Sequence, residues 1–94
     1  MQQTPYQPLA CALYDVIEIA CLHRYYVVIE LVNGATLEGQ ALTTETSADK
    51  QEFLILGTAD DKVRVRLDQL QAITAVTPGA SFKRIELNKP NSSS

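Results

Sequence analysis

The chain has 94 residues, of which 46% are hydrophobic and 20% are charged, and its formal net charge is −3. This length supports one hydrophobic core and is too short for two, so a single globular domain is expected. No stretch has the roughly 18 to 20 apolar residues that a membrane span needs. Residues 1–8 have neither a basic start nor an apolar run, and the sequence therefore predicts a cytoplasmic protein without membrane contact.

The charge is unevenly distributed along the chain. Residues 1–61 carry nine acids and two bases, which gives −7, whereas residues 62–94 carry two acids and six bases, which gives +4. Proteins that bind phosphates owe most of their affinity to clustered lysine and arginine. The acidic N-terminal two-thirds therefore disfavours nucleic acid as the main partner and favours a basic partner surface.

The first predicted element is an amphipathic helix that ends near Leu22. At about 100° per residue, one sector holds four apolar residues: Leu13, Val16, Ile17 and Ala20. The opposite sector holds Tyr14, Asp15, Glu18 and Leu22. We expect the first sector to face the core and the second to remain outside.

From Tyr25 onward, β-branched and aromatic residues predict strands. The predicted strands span residues 25–31, 37–46, 52–58, 62–67 and 72–76, with a sixth at 82–87. Asn33-Gly34 predicts a tight hairpin turn, and Gly39 predicts a bulge or bend in the second strand. Because adjacent strand residues point to opposite faces, one of Tyr25 and Tyr26 is expected in the core.

One helix followed by five short, bent strands resembles the Sm-like fold, a small antiparallel β-barrel. The predicted class is mainly β with one N-terminal helix (α+β). A barrel hides strand edges that otherwise invite aggregation, but an open antiparallel sheet with the helix on one face is the alternative. The predicted organisation is a lead-in over residues 1–8, one domain over 9–87 and a flexible tail over 88–94.

Motifs for catalysis and metal binding are missing from the sequence. It contains no Gly-rich phosphate loop, HExxH motif or GxSxG elbow, and His23 is its single histidine. Asp15 and Glu18 lie one helical turn apart, but an exposed acidic edge is favoured over an acid–base pair. Cys11 and Cys21 would lie roughly 15 Å apart along a helix, beyond the roughly 7 Å that a disulfide allows. We therefore expect no enzyme activity, no metal and no cofactor. Both cysteines are expected to be reduced thiols.

Lys62, Arg64 and Arg66 alternate along the fourth predicted strand and share one face. This basic stripe could contact RNA phosphates. The alternative is a solvated strand face balanced by cross-strand acids such as Glu52. Because no aromatic residue is interleaved for base stacking, the solvated face is favoured.

The N-terminal segment resembles the opening of the Rho-binding antiterminators, the Rof family. The matching positions, without gaps, are Tyr6-Gln7-Pro8, Cys11, Tyr14-Asp15, Glu18 and Ala20-Cys21. Weaker agreement continues over residues 31–34 and 65–70, so the resemblance covers roughly residues 6–77.

This resemblance implies a Sm-like protein that binds the N-terminal RNA-binding domain of transcription termination factor Rho. Binding there would block RNA engagement and cause antitermination. The family's contacts lie on the N-terminal helix and a nearby loop, which implies Tyr14, Asp15 and Glu18 here, with Lys50 as the loop candidate. Ala12 and Leu13 stand where the family has acidic residues, so those contacts do not carry over.

Three hypotheses follow. The first is a monomeric interaction protein that binds Rho through the acidic helix edge. The second is a Sm-like RNA-binding protein that forms a ring and reads RNA through Lys62, Arg64 and Arg66. The third is a small structural domain of a larger complex.

Overall fold

The computed structural model describes residues 11–88, in which one helix precedes six strands. The helix, α1, spans Cys11–Leu22. The strands are β1 (Tyr26–Leu31), β2 (Thr36–Thr46), β3 (Glu52–Gly57), β4 (Lys62–Arg66), β5 (Leu70–Ala75) and β6 (Arg84–Glu86). A 3-10 turn over Leu67–Gln69 joins β4 to β5. The lead-in over residues 1–8 and residues 89–94 of the predicted tail lie outside the described residues, whereas the Asn88 side chain donates hydrogen bonds to the Leu67 and Leu70 carbonyl oxygens.

All strand pairs are antiparallel, and the sheet order is β4-β3-β2-β1-β5-β6. This confirms the predicted α+β class. Within residues 11–88, no ladder joins β4 to β6, so the sheet is open and closure into a barrel is not confirmed. The reason lies at β5: its outer edge is covered by β6, so β4 cannot pair with it and close a five-stranded ring.

The β1–β2 hairpin turns at Asn33-Gly34, as predicted, and Gly34 has a φ of 95°, which glycine adopts without strain. The predicted bulge at Gly39 is wrong. Gly39 pairs regularly with Val27, and the register shift in β2 falls between Ala41 and Thr43. A Cβ on Gly39 would lie 2.7 Å from the carbonyl oxygen of Gly57, so glycine is needed there for close strand approach.

The hydrophobic core lies between α1 and the inner face of the sheet. From the helix, Ile17 and Ala20 are fully buried, while Leu13 and Val16 pack partly buried against the same cluster. The predicted inward sector of the helix is therefore confirmed. The sheet contributes eight fully buried side chains that include Val27, Ile29, Leu54, Leu56 and Ile73.

Tyr25 and Tyr26 divide between the two faces as predicted. Tyr25 is 8% exposed and belongs to the core, whereas Tyr26 is 50% exposed. The Tyr25 hydroxyl accepts a hydrogen bond from the backbone N–H of Ser81 at 2.9 Å, and its ring packs edge-on against Phe82. These contacts hold the segment before β6 on the core. In the described part of the chain, no helix is long and apolar enough to cross a membrane.

Candidate partner-binding surface

The acidic edge of α1 consists of Asp15 and Glu18, which are both exposed. They lie one turn apart on the side opposite to the buried Ile17 and Ala20. Their exposure follows from the helix pattern: the apolar sector is packed against the sheet, so the polar sector faces solvent. The structure therefore presents two carboxylates on a rigid element, where a partner can reach them.

Tyr14 differs from these acids. It is only partly exposed and packs against the core cluster, so the prediction that it lies fully outside is wrong. Its hydroxyl group lies 3.4 Å from the Thr44 hydroxyl, to which it can donate a long hydrogen bond. The cause is the placement of α1 on β2, which covers the ring. Tyr14 thus attaches the helix to β2 and leaves part of its surface beside Asp15.

Lys50 lies in the loop between β2 and β3 and is exposed. Its φ is 69°, and its backbone N–H donates to the Ser47 carbonyl oxygen at 2.9 Å. The Ser47 hydroxyl donates a hydrogen bond to the Asp49 carboxylate, which lowers the pKa of that carboxyl. The loop begins three residues after Thr44, the contact of Tyr14. The structure therefore brings Lys50 to the end of the strand on which the helix lies.

Cys21 lies on the same helix, beside Glu18. The pKa of the Cys21 thiol is raised to about 11, chiefly by burial and then by the charge of Glu18, while the charge of Arg24 acts in the opposite direction. The thiol is therefore protonated at neutral pH and is a weak nucleophile. Cys21 is a free thiol, whereas the side chain of Cys11 lies outside the described residues.

Two of the three basic side chains on β4 contact acidic residues of this chain. The Arg66 guanidinium donates two hydrogen bonds to Asp68, at 2.7 and 2.8 Å, and Arg64 lies 3.4 Å from Glu45 and over the ring of Phe53. This matches the predicted solvated and balanced face. The acids that contact these arginines include Asp68, in the turn after β4, and Glu45, on β2. Lys62, the third member of the stripe, is exposed.

Sequence reasoning missed the surface around Leu42. The register shift of β2 occurs at Leu42, and the Leu42 side chain lines two open depressions, one on each side of it. One depression also includes Glu18, so this surface continues the acidic edge of α1. The only sequence signal was a bulge predicted for β2, which was assigned to Gly39.

Comparison with known proteins identifies the family. The family model for modulators of Rho-dependent transcription termination (ROF) matches residues 8–87. The chain is similar to Protein rof of Escherichia coli strain K12 and of Shigella flexneri, with 32% identity over 69 residues in each case. These matches cover 73% of this chain and 81% of each relative.

Among solved structures, the chain is similar to YaeO bound to magnesium from Vibrio cholerae O395. The TM-score is 0.72 at 30% sequence identity, over 78% of this chain and 95% of that one. In residues 11–88 of the present chain, no three His, Cys, Asp or Glu residues are grouped to hold a metal ion, so no magnesium site is assigned. The family match and the two relatives show that the chain belongs to the Rof family of modulators of Rho-dependent transcription termination.

Proposed function

We propose that this protein inhibits Rho-dependent termination by binding the N-terminal RNA-binding domain of Rho and blocking RNA engagement. Family membership supports a role in Rho-dependent termination. The observation that carries the proposed mode of binding is the exposure of Asp15 and Glu18 on the outer edge of α1. In this proposal the protein acts in the cytoplasm as a monomer, without catalysis.

Electrostatics explains why an acidic helix suits this task. A surface that binds RNA phosphates must present cations, and carboxylates held in place can pair with the same cations. Asp15 and Glu18 lie on a helix packed by Ile17 and Ala20, so little conformational freedom is lost when they bind. A partner cation that pairs with these acids is no longer available to a phosphate, and RNA and this protein then compete.

Tyr14 and Lys50 flank the acidic edge in this proposal. Tyr14 positions the helix on β2 through Thr44 and offers the exposed part of its ring beside Asp15. Lys50 lies on the loop that follows β2 and would pair with an acid at the rim of the Rho surface. A partly buried aromatic next to charged groups is a common arrangement at interface centres.

A Sm-like relationship and a single domain over residues 9–87 remain part of the proposal. They are supported by the helix–strand order and by the register shifts in β1 and β2, which bend the sheet. The RNA-binding ring is disfavoured, because Arg64 and Arg66 already contact acids of this chain and β6 covers the outer edge of β5.

The direct test is calorimetry with the Rho N-terminal domain and the variants Asp15→Lys and Glu18→Lys. Replacing a carboxylate by an ammonium opposite a cation should weaken binding by about 2 kcal/mol or more when the pair is desolvated. Glu86→Lys is the matched control, because Glu86 is exposed on β6, an edge strand of the sheet. Unchanged affinity of both helix variants would remove the proposed interface.

Competition with RNA tests the mechanism separately. Single-stranded RNA in excess should displace the protein from Rho, and the protein should restore read-through at a Rho-dependent terminator. A stable complex of Rho that holds RNA and this protein at the same domain would contradict the blocking mechanism.

A further inference from the structure

A row of paired residues crosses the outer face of the sheet, from β1 to β4. Tyr26 pairs with Gln40, Gln40 with Gly57 and Gly57 with Lys62, so these four residues lie side by side on strands β1 to β4. Directly paired residues of antiparallel strands point to the same face. Because Gly57 has no side chain, an open depression of about 690 Å³ lies over it, lined by the other residues of the row.

Leu42 connects this depression to α1. It has no partner in the β2–β3 ladder, because the register shifts between Ala41 and Thr43. Leu42 lines the depression over Gly57 and also a second one, of about 310 Å³, whose other side is formed by Glu18 and Leu22. One continuous surface thus runs from α1 to the β3–β4 hairpin. We name it the Leu42 surface and define it by Glu18, Leu22, Tyr26, Leu42, Asp60 and Asp61.

The Leu42 surface includes exposed apolar and aromatic side chains. Leu22 is 77% exposed, and Tyr26 is 50% exposed. Val76, which is also 50% exposed, extends this region, since its backbone N–H donates to the Tyr26 carbonyl oxygen at 2.9 Å. Single exposed apolar residues are ordinary, but contiguous ones with a polar rim are typical of protein interfaces.

The ends of the Leu42 surface are acidic. Glu18 lies at the helix end, and Asp60 and Asp61 lie on the hairpin, where Lys62 is the one cation that lines the depression. The Asp61 carboxylate accepts the backbone N–H of Lys62 at 2.7 Å, which fixes its position, whereas Asp60 is exposed. The three carboxylates outnumber Lys62 and Arg24, whose carbonyl oxygen accepts a hydrogen bond from Gln40 of the row. This acidic excess and the exposed apolar residues fit a basic partner surface that also offers an apolar side chain.

We infer that the Rho-binding surface extends from the acidic edge of α1 across the Leu42 surface to Asp60. The occupant is the same cationic RNA-binding surface of Rho, so this inference rests on the proposed function. A basic side chain of Rho pairs with Asp60, and an apolar side chain packs on Leu22 and Leu42. The hairpin then acts as a second anchor that the helix motif does not reveal.

The test measures the affinity of the full chain for the Rho N-terminal domain by calorimetry. Asp60→Lys and Leu22→Ser should each raise the Kd by about fivefold or more, because one reverses a charge and the other removes an apolar contact. Glu86→Lys makes the same charge change on the edge strand β6, two strands beyond Tyr26, and should leave the Kd unchanged. Thermal unfolding verifies that each variant is folded, which is expected because both residues are exposed.

A double variant separates the two anchors. If Glu18 and Asp60 contact different cations of Rho, the fold-changes of Glu18→Lys and Asp60→Lys should multiply in the double variant. Absence of Rho binding by the unmodified protein would remove the proposed function itself. Binding that is weakened by Glu18→Lys but unaffected by Asp60→Lys and Leu22→Ser would overturn this inference alone. Self-association that these two substitutions abolish, with Rho affinity unchanged, would assign the surface to a second copy and also overturn it.

Discussion

The Arg84 guanidinium donates two hydrogen bonds to the Glu30 carboxylate, from Nε at 2.9 Å and from Nη2 at 3.0 Å. Arg84 lies on β6 and Glu30 on β1, with β5 between them. The hydrogen bond lowers the pKa of the Glu30 carboxyl and raises that of Arg84. A strand of three residues has little ladder of its own, so this pair supplies a specific attachment across the sheet. It helps β6 to cover the edge of β5.

Arg84→Ala should therefore loosen β6 without unfolding the chain. The backbone N–H of Leu87, which donates to Gln71 at 2.7 Å, and that of Ala75, which donates to Lys83 at 3.0 Å, should exchange with solvent faster. Hydrogen exchange followed by NMR measures both. Arg64→Ala is the control, since Arg64 lies on β4 at the opposite edge of the sheet. Unchanged protection of both amides in Arg84→Ala would show that the backbone alone holds β6.

Asp68→Ala should destabilise the fold more than Glu45→Ala. The Asp68 side chain is 4% exposed and accepts two hydrogen bonds from Arg66, whose side chain is 23% exposed, so the substitution removes a charge-assisted pair from a mostly buried position. We expect a loss of about 2 to 3 kcal/mol in the free energy of unfolding. The Arg64–Glu45 pair is about half exposed on both sides, and its loss should cost less than about 1 kcal/mol. Urea denaturation compares the two, and equal losses would contradict this reasoning.

Local patterns predicted most of the elements. Strand alternation predicted that one of Tyr25 and Tyr26 lies in the core, and Asn33-Gly34 predicted the first hairpin. These features depend on neighbours in the chain, which the sequence displays directly. The exposure of Asp15 and Glu18 was predictable for the same reason, because helical periodicity alone decides their side of α1.

Features that depend on distant neighbours were not predictable. The covering of Tyr14 follows from how α1 lies on β2, which a helical projection does not contain. Closure of the sheet depends on which strand reaches the edge of β5, and β6 takes that place. The Leu42 surface depends on a register shift in β2 whose position is set by pairing with β3.

Gly39→Ala should destabilise the protein, because its Cβ would lie 2.7 Å from the backbone carbonyl oxygen of Gly57. The Gly57 backbone cannot move away from the new methyl group without straining the β2–β3 ladder. We therefore expect a loss of about 1 to 3 kcal/mol in the free energy of unfolding. Gly57→Ala is the control: its Cβ would meet the Leu42 side chain end at 3.1 Å, which can rotate away. A Gly39→Ala variant as stable as Gly57→Ala would show that the strands can separate at low cost.

Affinity for Rho should fall as salt rises, because the proposed contacts pair carboxylates with cations. From about 0.1 M to about 1 M ionic strength, the Debye length shrinks from about 10 Å to about 3 Å, so the attraction between the two surfaces is screened. Binding of Asp15→Lys should depend less steeply on salt, since one attractive charge has been reversed. Titrations over this range measure both slopes. An affinity that does not change with salt would contradict an interface built on the acidic edge.

Cys21 should react with iodoacetamide only at high pH. Its pKa is raised from 9.0 to about 11, chiefly by burial and then by the charge of Glu18. In a Cys11→Ser background, the alkylation rate measured by mass spectrometry should therefore be half-maximal near pH 11, whereas that of the urea-unfolded chain should be half-maximal near pH 9.0. Glu18→Gln removes a negative charge that disfavours the thiolate, so it should lower the pKa of the thiol by part of the shift. The part of the pKa shift that burial causes should remain in this variant. An unchanged pH profile in Glu18→Gln would show that the Glu18 carboxylate is too far from Cys21 to affect its pKa.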